Sequence, residues 1–406
     1  MPKLILLTGL GLVLAACVAA PAPTAAPAPT AAPAPTVAPA PSTAVAPSTP
    51  TPANTALDKD LRVDTRGWKT DFSKHTVALS EIQSGGVPRD GIPPIDAPQT
   101  VSIAEAEAWV HDNEPVIALV NGAQARAYPL QIMTWHEIVN DKLGEMAVAV
   151  SFCPLCNAAI AFERELNGKV YTFGTTGNLR NSDLVMWDRQ TESWWQQLTG
   201  EAIVGELAGA KLKMIPVSII SFATFKSAYA QGAVLSKDTG HTRPYGRNPY
   251  VGYDDINAQP FLFSGKTDGR LRAMERVIAL TLGKTDIAYP YPVLAKHVVI
   301  NDTRDGENIV LFWQAGTASA LDTALISDGK AVGAAGVFSA QLDGATLQFK
   351  AVANGAIVDV GTNSTWNLVG QAIDGPLKGK QLKPVLHFNH FWFAWAAFKP
   401  GTLVFQ

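Results

Sequence analysis

The sequence predicts an α+β fold, predominantly β, built as a tandem duplication of a mainly-β unit of roughly 120 residues with short helices. Three observations predict it. The 28 residues from Glu114 match the 28 from Glu275 without a gap at 12 positions, where average composition gives roughly two by chance. Short apolar runs alternate with turn dipeptides, Asn167-Gly168 in one copy and Asp343-Gly344 in the other, which is the pattern of strands joined by tight hairpins. Both copies also close alike. Gly200 to Gly209 (GEAIVGELAG) mirrors Gly370 to Gly379 (GQAIDGPLKG), and SFATF at 221–225 mirrors FWFAW at 391–395.

The elements follow in order. Lys3 precedes an apolar stretch, 4–13, which is too short to span a bilayer and reads as a signal peptide. Leu14-Ala15-Ala16-Cys17 looks like the lipobox of bacterial lipoproteins, which implies a lipid on Cys17 and a protein held outside the cytoplasm on the cell membrane. Several acyl chains on one residue give stable anchoring where a single chain does not. Residues 18–57 are uncharged and rich in Ala, Pro and Thr. Such a segment cannot bury a core, and at about 3.1 Å per residue it forms a stalk reaching on the order of 100 Å. An N-terminal extension follows at 58–113, then the first copy at 114–236, a polar loop at 237–274 and the second copy at 275–406. Within the first copy, strands are expected at 116–120, 146–152, 159–163 and 170–173. Helices are expected at 130–140 and 222–230, echoed near 292–300 and 391–398. His387 and His390, three apart, have the spacing to share one helix face, although a place at the edge of the core is the favoured reading.

Composition removes some functions. The formal charge is −3 and no basic stripe occurs, which argues against nucleic-acid binding. A hydrophobic content of 47% fits a well-buried globular chain.

The chemistry concentrates in Ser151-Phe-Cys153-Pro-Leu-Cys156-Asn157. Two thiols at this spacing can close a disulfide, exchange electrons or hold a soft metal, copper or zinc. The second copy has Gln314 and Thr317 at the matching positions, so the turn forms without thiols and the pair is free to be functional. His136 is the candidate additional metal ligand, although its match with His297 in the copy without cysteines points to a shared structural role. A second polar cluster holds Arg180, Asn181 and Asp183. Asp183 and Asp188 suit a cation or, more simply, arginine partners. A third set, His241, Arg243 and Tyr245, lies in the Gly- and Pro-punctuated loop between the copies. There an arginine can grip an anion and the histidine can titrate.

SFCPLCNAAIAF from Ser151, NSDLVMWDR from Asn181, LSKDTG from Leu235 and RPYG from Arg243 resemble the bacterial family of domains of unknown function 3179. The resemblance spans about 110–320, with the rest of the second copy following through the internal repeat, and it implies no activity. Three classes of function stay open. The favoured one is an extracytoplasmic thiol-redox or metal-handling protein centred on Cys153 and Cys156. The second is a non-catalytic envelope module with a structural disulfide, binding a small molecule or envelope protein. The third is a hydrolase or transferase around His241, which no Ser-His-Asp, phosphate-loop or HExxH pattern supports.

Overall fold

The computed structural model describes residues 62–353 and 355–406, so the leader, Cys17 and the stalk lie outside the described residues. Strands account for 40% and helices for 12%, as the β-dominated α+β class requires. Among the described residues no helix is long and apolar enough to cross a membrane.

In the first half, the hairpin of Pro115–Asn121 and Gln124–Pro129 is the centre of a five-stranded sheet. Val217–Ser221 flanks it on one side, with Ala233–Leu235 and Thr100–Ser102 on the other. A second sheet runs Ile138–Leu143, Met146–Cys153, Ala158–Glu163, Met214–Ile215. A third runs Ile82–Ser84, Phe173–Arg180, Asp183–Asp188, Trp194–Gln196, Glu201–Val204. The second half has sheets on Arg276–Leu282 with Thr285–Pro290, on Glu307–Gln314 and on Ile357–Asp359 in the same chain order. Registers agree as well. Val116 faces Pro129 and Val277 faces Pro290; Asn140 faces Ala149 and Asn301 faces Val310.

The shared polar residues hold equivalent places for a physical reason: a buried polar group must find a partner. Tyr128 donates to Asp141 at 2.8 Å and Tyr289 to Asp302 at 2.7 Å. Asn140 bridges to the Phe173 backbone as Asn301 does to Phe349. Asp188 takes Thr191 and the Trp195 indole, and Asp359 takes Thr362 and the Trp366 indole. Asp188 therefore caps a turn rather than pairing with an arginine. The halves also share their cores. Cys153, Ile160 and Phe162 fall in one buried cluster with Phe391, Trp392 and Trp395, and Ala118 and Phe222 in another with Phe312 and Trp366.

Several expected elements differ. The helix expected at 130–140 is Leu130–His136, because Glu137 takes φ 57° and sends the chain directly into a strand; Tyr291–His297 ends the same way at Val298, φ 62°. The strand expected at 170–173 is divided. Lys169–Val170 pairs with Glu165–Leu166 across the left-handed Asn167-Gly168 turn, and Phe173 opens a new strand. His390 lies in the strand Phe388–Phe391 and His387 just before it, so no helix face carries them. The polar cluster at 178–183 is regular structure: a hairpin whose two-residue turn is Asn181 and Ser182, φ 53° and 66°, with Arg180 opposite Asp183.

Candidate metal centre

Cys153 ends the strand Met146–Cys153, and Cys156 closes a short 3-10 turn that begins at Pro154. Proline suits the first position of such a turn because its missing N–H is not needed there. Asn157, φ 52°, turns the chain back into Ala158–Glu163, where Ala158 pairs with Cys153. The motif is thus the end of a hairpin and not a helix N-terminus, which removes the dipole that lowers a thiol pKa in thioredoxin-like sites. Both cysteines are buried free thiols, and they come within 3.7 Å of each other. Both sulfurs point at the Ser182 carbonyl, at 3.8 Å and 3.4 Å.

The Asn181-Ser182 turn delivers the third member. Asp183 is fully buried, and its carboxylate oxygen lies with the two sulfurs in a group whose ligand atoms are all within 4.8 Å of one another. Gln196 and the Leu198 amide donate to Asp183 Oδ2 at 2.6 Å and 2.9 Å. Among the described residues no N–H or O–H group reaches Asp183 Oδ1, and the Cys156 thiol is the neighbouring donor to the carboxylate. Arg180 does not bind there. It pairs with Glu81 at 2.7 Å and reaches the Gln196 side-chain carbonyl at 3.5 Å, so it orients the amide that holds Asp183.

Burial sets the protonation. Loss of solvent pushes Asp183 up to about 7 and Glu137 up to about 8, with the Asp183 charge adding to the latter. The same cause raises the Cys153 thiol and carries Cys156 well above the ordinary thiol value. Four acids crowd one dry region, which makes each hold its proton more tightly than it does in water. A bound cation inverts that preference, since its charge deprotonates coordinating thiols outright. The residues fit a metal: two thiols and a carboxylate with their ligand atoms within 4.8 Å of one another, and Glu137 nearby.

His136 is not part of this group, which corrects its place as a ligand. Its Nδ1 donates to the Pro93 carbonyl at 2.7 Å, and its Nε2 meets the Tyr245 hydroxyl at 2.6 Å. Because Nδ1 carries the proton, Nε2 accepts from Tyr245, which in turn accepts from Thr239 at 2.6 Å. Burial drives His136 down to about 4, and His241 and Arg243 add to this, so the ring is neutral. His297 is exposed while His136 is buried, so the two do not share a role. His241, Arg243 and Tyr245 gather around His136 and not around the thiols.

Sequence reasoning missed Glu137, Ser182, Gln196, Tyr250 and Tyr253. Tyr250 donates to Glu137 at 3.4 Å, and Tyr253 donates to the Leu155 carbonyl at 3.0 Å. One signal was available for Glu137: its match in the second copy is Val298.

The chain belongs to the family described as "Protein of unknown function (DUF3179)", whose model matches residues 89–402. The match covers the second half throughout and is wider than the 110–320 read from motifs. No curated protein and no solved structure matches the chain.

Proposed function

We propose that this protein handles a metal ion at Cys153, Cys156 and Asp183, in a domain tethered outside the cytoplasm through a lipid on Cys17. The observation that carries the metal reading is the fully buried Asp183 carboxylate, brought within 4.8 Å of two thiols that a different hairpin supplies. Sulfurs bound tetrahedrally at about 2.3 Å stand about 3.8 Å apart, close to the 3.7 Å approach of the cysteines. A mixed thiolate and carboxylate set favours zinc over Cu(I), which prefers soft sulfur alone. Redox use is the weaker reading, because a catalytic dithiol needs an exposed sulfur of lowered pKa, and burial here acts the other way. The tether rests on the lipobox-like sequence before Cys17 and the uncharged stalk after it.

The test is metal analysis with thiol counting on the purified protein, followed by titration of the metal-free form with Zn(II) and Cu(I). One equivalent of Zn(II) taken up by the wild type and lost in Cys153→Ser supports the reading. Two reactive thiols after denaturation with no uptake of either metal sinks it, and so does an oxidised pair that uptake experiments cannot load after reduction.

A further inference from the structure

A cavity of about 330 Å³ lies against the thiol turn. Its walls come from distant parts of the chain: Glu137 and Leu155 beside the cluster, and Tyr250, Tyr253, Phe261 and Leu262 from the segment between the halves. A dry apolar cavity of about 150 Å³ takes benzene, so this one has room for a two-ring molecule. Its lining includes no Lys, Arg, His or Asp, and Glu137 is its single carboxyl.

The chamber is built, and not a gap left by loose packing. Ser182 Oγ donates to the Phe261 carbonyl at 2.6 Å, and the Phe261 amide donates to the Tyr253 hydroxyl at 3.4 Å. Gln83 holds the Leu262 carbonyl. With its backbone tied down in this way, the Phe261 side chain is still 56% exposed, an apolar ring left uncovered beside an apolar chamber. On the opposite wall the strand Phe173–Arg180 breaks register between Thr175 and Asn178. Gly177 occupies that break at φ 77°, where an added Cβ would meet the Val87 carbonyl at 2.0 Å. The reactive features are also confined to one half. Glu137, Leu155 and both cysteines match Val298, Gly316, Gln314 and Thr317, although the surrounding framework is the same.

We propose that this chamber binds a small uncharged organic molecule, with an apolar body of one or two rings and one hydrogen-bonding group received by Glu137 and Tyr250. An apolar pocket with a few convergent polar groups is the usual form of a small-molecule site. Anions are excluded, because the described lining holds no Lys, Arg or His to offset the loss of their water. None of the three cluster side chains lines the chamber, and Glu137 is the group that stands near both.

The experiment titrates the full chain with 2-naphthol by calorimetry, with naphthalene-2-sulfonate as the charged probe of the same body. The wild type binds 2-naphthol at least tenfold more tightly than the sulfonate. Val87→Trp, which fills the chamber from its outer wall, weakens 2-naphthol at least tenfold while its thermal melt stays cooperative. Tyr250→Phe, a milder change, weakens it severalfold. Cys153→Ser empties the metal centre and leaves 2-naphthol binding within threefold, so failure of the metal reading does not pass for failure of this one. Equal affinity for the two probes, no binding of 2-naphthol, or unchanged binding in both Val87→Trp and Tyr250→Phe overturns the proposal.

Discussion

Asp183→Asn in the metal-free protein should make the chain more stable at alkaline pH, although it removes a ligand. Asp183 stands at about 7 in the fold against 3.8 in a model peptide. The folded state therefore holds its proton more tightly than the unfolded chain does, and stability is greatest below 3.8 and falls as pH rises toward 7. The full penalty on the charged form is on the order of 4 kcal/mol, of which roughly 2–3 kcal/mol is lost between pH 5 and pH 8. Glu137 adds a loss of the same sign, spread from 4.5 up to about 8. Asparagine keeps the acceptor for Gln196 and Leu198 and never charges, so the variant should lose about half of the pH slope. Zinc reverses the order. At a free concentration a hundredfold above Kd it stabilises the wild type by about 2.7 kcal/mol, and more at high pH, where ligands give up protons readily. Urea melts at pH 5, 6, 7 and 8, with chelator and with zinc, give both slopes. The reasoning is refuted if Asp183→Asn has the wild-type slope in chelator, or if zinc stabilises it as much as the wild type.

Three other outcomes are expected. Cys17→Ser should move the protein from the membrane fraction to the soluble fraction, and a mutant still extracted only by detergent would end the anchoring proposal. Asp188→Ala and Asp359→Ala each leave a buried tryptophan N–H unpaired and should cost a similar 2–3 kcal/mol or so in denaturant melts; a large inequality would show that the two aspartates do different work. Cys153 and Cys156, 2% and 0% exposed, should react with a thiol reagent orders of magnitude more slowly in the native than in the denatured protein, and fast native labelling would contradict the buried site.

The matched segments were legible because their residues answer local demands. Asn167-Gly168 and Asp343-Gly344 announce left-handed turns, and the matched Tyr, Asn and Asp residues mark places where each half satisfies a similar polar group. Helix ends were less legible. Nothing in Glu137 or Val298 signals a positive φ, a conformation that side chains with a Cβ adopt only when the surrounding strands impose it. The cysteine pair was visible as chemistry, but its partner was visible only as one of several polar residues. His136, the nearest histidine to the pair in sequence, is tied to Pro93 and Tyr245, whereas Asp183 arrives from a hairpin 27 residues beyond Cys156.

The sequence alone determined the β-rich class, the turns at Asn167-Gly168 and Asp343-Gly344 and the presence of a thiol pair in one half only. These depend on alternation, turn dipeptides and residue identity, all of which act over a few residues. Only the tertiary structure decided which acids stand beside the thiols, how dry they are and what chamber lies against them. Those properties come from burial and from contacts between remote segments: Glu137 after a helix, Asp183 after a turn, and Tyr250 and Tyr253 from the connecting loop. Desolvation is a property of the assembled surroundings and not of the residue, so the same carboxyl is an ordinary acid in the chain and a neutral one in the fold.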